Sequence, residues 1–246
     1  MRTNNTKLKG LASRYFAAFT ALFFGLTGMI HAQTVNTYTF AQSAGTYTPI
    51  VGTNLIAANT DDAVSALAPI GFTFVYEGNS FTTFGVSSNG SMRLGAVPDG
   101  GTDPITFARY DYTPLSSAPN SNAISPLGRD GRTFSGVSYS VAGAVGSRVL
   151  TVQFADQNMN WTGTAGTGFA RVSAQVKLYE TTNVVQFVYT TPIATGTVRA
   201  TQIGLRGALA TNFANRVTSF AASTAGPLVT STMGVGTGNV PAAGRT

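Results

Sequence analysis

The side chains able to do acid–base or hard-metal chemistry in this chain come down to nine carboxylates, Glu77, Glu180 and seven aspartates. There is no cysteine, and the one histidine, His31, falls in an N-terminal stretch read below as a cleaved leader. Ordinary zinc sites and every nucleophilic triad with a histidine base are therefore excluded from the mature chain. A polysaccharide hydrolase working through carboxylates would need two of them about 5 to 10 Å apart across a cleft. Glu77 and Glu180 each stand beside a tight hairpin turn, where a solvated polar residue is the ordinary expectation, so no catalytic residue is assigned. Asp61 with Asp62, or Asp99 with Asp103, could offer the oxygen ligands that calcium takes in loops. No run matches D-x-[DN]-x-[DN]-G, so solvated loop acids are the competing reading, and no cofactor is assigned beyond that calcium option.

Stacking on sugars is the other chemistry on offer. A sugar ring presents an apolar face that an exposed aromatic can cover while neighbouring amides fix its hydroxyls. Trp161, the only tryptophan, stands in a glycine-rich loop with Asn158, Asn160 and Thr162 around it. Tyr110 and Tyr112 flank Asp111 in a proline-rich excursion. The alternative for Trp161 is an aromatic packed against the edge of the core. Asn89-Gly90-Ser91 and Asn160-Trp161-Thr162 also match the N-glycosylation sequon, a short pattern that carries little weight by itself.

These residues need a frame, and the frame begins after residue 32. Arg2, Lys7, Lys9 and Arg14 precede the apolar run Ala17 to Ile30, and Ala32 is a small residue suited to cleavage, so the exported chain is expected to start at Gln33. The apolar run is shorter than the roughly 20 residues a spanning helix needs. Removing the leader takes four of the 15 Lys and Arg residues and none of the nine acids, so the net charge drops from +6 to eleven minus nine, +2. With Lys177 as the only lysine left and the arginines scattered, nucleic acid is not an expected partner. Without disulfides, the remaining residues 33–246 must be held by a core, and they are enough for a single domain.

The stretch Gly71 to Gly95 reads as a three-stranded antiparallel meander. A three-residue first turn, Gly78-Asn79-Ser80, would pair Phe74 with Phe84 and Phe72 with Val86. An Asn89-Gly90 turn would put Met92 and Leu94 on the wrong face, whereas Ser88-Asn89-Gly90 with Gly90 left-handed pairs Val86 with Met92 and Phe84 with Leu94. Gly85, Ser87, Ser91 and Arg93 would then face outward. Thr37 to Phe40 and Thr46 to Val51 are expected to form an opening hairpin, Gly52 to Pro69 a loop with at most one helical turn, and Ala96 to Asn122 a long surface excursion. Val137 to Val141 and Arg148 to Phe154 alternate as strands, and Asp156 to Gly168 reads as a loop. In the hairpin Arg171 to Tyr189, Leu178 pairs with Val185, Val176 with Phe187 and Ala174 with Tyr189 across a four-residue turn. Ala200 to Arg206 follows with Ile203 and Leu205 inward, then weaker strands at Arg216 to Phe220 and Pro227 to Val229. About ten short strands with one apolar face each, and no amphipathic helix, predict an all-β, jelly-roll-like antiparallel sandwich.

The runs IGFTFVYEGNSFTTFGVSSNGSMRL, NAISPLGRD, RVLTVQF, VKLYETTNVVQFVY and TQIGLRG resemble, in that order, a lectin-like β-sandwich module of secreted multidomain proteins from Bacteroidota. The resemblance spans roughly Thr37 to the C-terminus. It implies an extracellular module, commonly followed by fibronectin type III-like domains and a type IX secretion signal, neither of which this sequence carries. It implies no catalytic residues. The function expected is therefore a non-catalytic, exported module for surface adhesion or carbohydrate binding, with a glycan or another surface protein as partner. A carboxylate-dependent hydrolase and a structural surface or matrix component are the alternatives. The Pro241-Ala242-Ala243-Gly244 turn is expected to lead into a further strand that only Arg245 and Thr246 begin, leaving an open sheet edge prone to self-association.

Overall fold

The computed structural model describes residues 33–95, 115, 121–158, 160–161, 171–190, 193, 201–209, 211–216 and 225–226. All of them fall within one compact unit, Gln33–Thr246. Two antiparallel sheets face each other. The first has the order β1-β8-β9-β10-β11, with β7 pairing both β2 and β9, and the second the order β14-β13-β12-β6-β5-β4-β3. In the first sheet β1 is Thr53–Ile56, β2 Thr60–Asp61, β7 Arg132–Thr133, β8 Val137–Ala142, β9 Val149–Asn158, β10 Arg171–Tyr179 and β11 Val185–Tyr189. In the second, β3 is Ala68–Tyr76, β4 Asn79–Ser87, β5 Ser91–Leu94, β6 Ala123–Gly128, β12 Gln202–Arg206, β13 Phe213–Arg216 and β14 Ala225–Gly226.

Alternation sets which faces meet. In β3 every second residue from Ala68 to Tyr76 is buried, which puts Ile70, Phe72, Phe74 and Tyr76 in the core. Phe84, Val86, Met92 and Leu94 join them from β4 and β5, opposite Leu150, Val152, Phe154, Val176 and Leu178 of the facing sheet. A satellite core gathers Leu127, Val172, Ala174, Tyr189 and Ile203. The second turn of the meander has the expected register, Val86 with Met92 and Phe84 with Leu94, around Gly90 at φ +75°. The β10–β11 pairing also matches residue for residue.

Five expectations fail. The first meander turn has two residues, Glu77 and Gly78, at φ +50° and +74°, so Phe74 pairs with Phe81 and Ala68 with Phe84. Two consecutive left-handed residues match the strand twist, and an irregularity in β3 absorbs the offset while the buried face is kept. Gly52 to Pro69 holds β1 and β2 rather than a loop, and β9 runs on to Asn158. No opening hairpin forms: Val35–Thr37 is a single 3-10 turn, and 46–51 is a strap over the outer face of the first sheet. There Gln153 accepts from Ile50 N–H at 3.0 Å and Gln175 donates to Thr48 C=O at 2.7 Å, so two buried glutamines replace ladder bonds. Within the strap, burial pushes the Tyr47 hydroxyl up to about 12, a hydrogen bond with Ser173 offsetting part of the rise.

The fifth concerns the face carrying Ser87, Ser91 and Arg93. Ser87 and Ser91 are buried, Ser87 beside Val64 in an isolated bridge, and a buried Leu115 lies over the outer face of β12. Gln202 accepts from Leu115 N–H at 2.8 Å, and Arg206 donates to Leu115 C=O at 3.1 Å. Arg93 is half-buried and donates to the Ser121 carbonyl and hydroxyl. Polar side chains spaced two apart look wet in sequence, yet here Ser87 Oγ accepts from Asn89 N–H at 3.1 Å and Arg93 reaches Ser121, the pairing that burying polar groups favours. The weaker strands expected at the C-terminal end, and the Pro241 turn, lie largely or wholly outside the described residues.

Candidate functional site

β9 delivers the aromatic candidate. Its last residue, Asn158, pairs with Arg132 of β7 on one side and Arg171 of β10 on the other, so it is enclosed on both edges. Its side-chain Nδ2 donates to the Asn160 carbonyl at 2.8 Å, folding the chain back at the strand end. Asn158 is 2% and Asn160 0% exposed, whereas Trp161 is 48% exposed and belongs to neither core cluster. The two asparagines read as sugar-fixing neighbours thus serve as a buried footing, and the indole stands out from them. Both sequon asparagines are buried, since Asn89 is 1% exposed and accepts from Gly131 N–H. Tyr110 and Tyr112, like Asp99 and Asp103, lie outside the described residues. At the expected cleavage position Gln33 is exposed, and Ala32 is not described.

The same end of the first sheet gathers acids. Asp61 of β2 pairs with Arg132, itself paired with Asn158, so the register links the carboxylates to the strand end that carries Trp161. Asp61, Asp62 and Asp130 are partly buried and each place a carboxylate oxygen within 4.8 Å of the others. Burial, then repulsion from Asp62 and Asp130, raises the Asp61 pKa from its ordinary 3.8, and Arg132 offsets part of this. Three carboxylates at such separation are an oxygen-only set of the kind hard cations take. Asp61 and Asp62 were visible as a pair in sequence. Asp130 was not, because only the β2–β7 pairing brings the Arg129–Arg132 turn beside them. Next to this group Asp156, at φ +54° in a bulge of β9, holds Arg171 in an ion pair, and the Arg171 guanidinium lies over the Phe134 ring at 4.8 Å.

The two glutamates are elsewhere and busy. Glu77 is 8% exposed, its Oε1 accepting from Val35 N–H at 2.9 Å and its Oε2 from Ala208 N–H at 2.7 Å. Its own N–H donates to the Tyr38 hydroxyl, and the Tyr38 ring meets Tyr76 edge-on. Glu180 accepts from Gly146 N–H, Arg148 N–H and the Arg148 guanidinium. Neither is the solvated turn acid that its sequence position suggests.

A family model described as NIDO related matches residues 37–246, the stretch over which the resemblance above extends. No curated protein and no solved structure matches. With all but the first 36 residues covered, the chain belongs to the NIDO-related family.

Proposed function

We propose that this NIDO-related chain is an exported, non-catalytic surface module that binds carbohydrate or a glycosylated partner through Trp161. Family membership points to an extracellular module, and no helix among the described residues is long and apolar enough to cross a membrane. The observation that carries the finer reading is the contrast at one strand end, a half-exposed indole on a footing of two buried asparagines. An exposed tryptophan offers a large apolar face and costs little conformational entropy to hold still, which suits stacking on a sugar ring. Glu77 and Glu180 each hold two main-chain N–H groups, which supports structural work for both.

A glycan array probed with the mature protein and with Trp161→Ala tests the reading. Glycan signals that disappear in the variant, at unchanged melting temperature, support it. Wild-type signals that survive the substitution place the ligand elsewhere, and a blank array at high protein concentration favours the structural surface component. A reducing-sugar assay on any bound polysaccharide, with Glu180→Gln as control, tests the non-catalytic part, and release by wild type would overturn it.

A further inference from the structure

β3 is the terminal strand of the second sheet, and the far edge of such a strand is a template for pairing with another chain. Here that edge meets three groups from the first sheet. In a two-residue hairpin the residues flanking the turn, Tyr76 and Asn79, exchange hydrogen bonds, so Val75, one position back, directs its N–H away from β4. That N–H donates to Asn183 Oδ1 at 2.8 Å. Four residues earlier, Gly71 C=O accepts from Arg148 Nη1 at 2.6 Å. At Gly71, with φ +90°, a Cβ would stand 3.2 Å from both γ-carbons of Val141, so the β8 end also lies against this edge. Pro69, two residues further back, has no N–H to offer. Only Thr73 shares the parity of these positions between the two capped residues.

The capping groups are themselves held. Glu180 binds Arg148 through Nε at 2.9 Å and Nη2 at 2.6 Å, and the guanidinium lies over the Phe72 ring at 5.6 Å. Asn183 sits at φ +53°, in the turn that also carries Glu180, and its Nδ2 donates to Thr181 C=O. A bidentate arginine and a turn-locked asparagine lose little freedom in making these contacts, so the caps are preorganised.

We propose that Asn183 and the Glu180-held Arg148 close the outer edge of β3 against strand addition by a second copy of this chain. An incoming strand would have to displace both caps to gain more than the bonds of one residue. The device is a side-chain lock reaching from one sheet to the other, and it does for β3 what edge charges and prolines do elsewhere.

The test starts with Asn183→Gly, which keeps the left-handed turn conformation and removes only the amide that caps Val75. Self-association is followed by sedimentation velocity from micromolar to hundreds of micromolar protein, and amide hydrogen exchange maps the contact. The variant is expected to self-associate at least tenfold more tightly than wild type, with added protection at residues 71–76. Adding Val75→Pro, which deletes the freed donor, is expected to restore the wild-type behaviour. Arg148→Met supplies the second cap removal, and it is expected to add to the effect of Asn183→Gly. A folded Asn183→Gly protein with wild-type association overturns the proposal. So does association that Val75→Pro leaves unchanged, since the contact would then lie on another surface. If Arg148→Met does not fold, the Asn183→Gly and Val75→Pro pair decides alone.

Discussion

Glu77 and Glu180 occupy equivalent places in sequence, each beside the turn of a long hairpin, and the fold uses them in different dielectric surroundings. Glu77 is buried among main-chain donors, with Val35 and Ala208 supplying its hydrogen bonds and no cation among its ion pairs in the described residues. Glu180 sits at the rim, where Arg148 carries the opposite charge and main-chain N–H groups of Gly146 and Arg148 complete the shell. Both tie together segments far apart in the chain. The difference teaches that a carboxylate next to a turn becomes structural when long-range donors converge on it, and that burial then decides whether its loss is expensive or cheap.

The largest expected effect breaks the buried member. Glu77→Ala strands the buried Val35 amide and frees the part-buried Ala208 amide, and at about 1–3 kcal/mol for a buried donor left unsatisfied the loss should be about 3 kcal/mol. Glu77→Gln keeps one acceptor oxygen and should cost roughly half. Denaturant titration measures both. Equal, small losses for Glu77→Ala and Glu180→Ala would collapse the distinction.

A narrower test uses the glycine that Glu77 requires. A Cβ on Gly207 would stand 2.1 Å from the Glu77 carboxylate, so Gly207→Ala is expected to cost about 2–3 kcal/mol through displacement of that side chain. In the Glu77→Ala background the space is empty. The penalty should then fall by more than half, a coupling that a double-mutant cycle reads directly.

How much of this was legible follows from the range of each signal. The Ser88-Asn89-Gly90 register and the β10–β11 pairs were readable because alternation and turn length are local constraints that must agree. The first meander turn was not, because the irregularity in β3 lets Phe74 pair with Phe81 without moving any apolar residue off the core face. Trp161 could be singled out by type and by its glycine-rich surroundings, but the burial of Asn158 depends on its pairing with Arg132 of β7 and Arg171 of β10. The same holds for Asp130, for Glu77 and for the strap of residues 46–51, whose partners are more than 40 residues away. Polar residues meeting non-local partners leave no periodic trace.

The rim member should respond to pH rather than to burial. Its hydrogen bonds to Arg148, then those to main-chain N–H groups, hold the Glu180 carboxyl down to about 2, against an ordinary 4.5. A depressed folded pKa means that the stabilisation is complete above about 4.5 and is lost as pH falls toward 2. Glu180→Gln is therefore expected to lower the melting temperature modestly at pH 7, with the gap to wild type closing across that window. Added salt should narrow it too, because both side chains reach solvent. A gap that stays constant from pH 7 to pH 2 would assign the effect to shape rather than charge.

Asp61 completes the comparison with the opposite sign, and its effect should be the smallest. It shares the partial burial of Glu180 but not its partner geometry: the first causes acting on it are desolvation and the charges of Asp62 and Asp130, and both raise its pKa. A carboxylate with a raised folded pKa contributes against folding once it ionises, so stability is given up as pH climbs from the unfolded value of 3.8 through the folded one. Asp61→Asn removes that charge and keeps the shape. In chelator at pH 7 it should raise the melting temperature by a degree or two, on the order of a few tenths of a kcal/mol for a partly exposed repulsion. The gain should fade as pH falls through the unfolded value of 3.8, where both states come to bind the proton. A variant less stable than wild type in chelator at pH 7 would show that Arg132 outweighs the two acids, and Asp61 would then belong with Glu180 as a paired carboxylate.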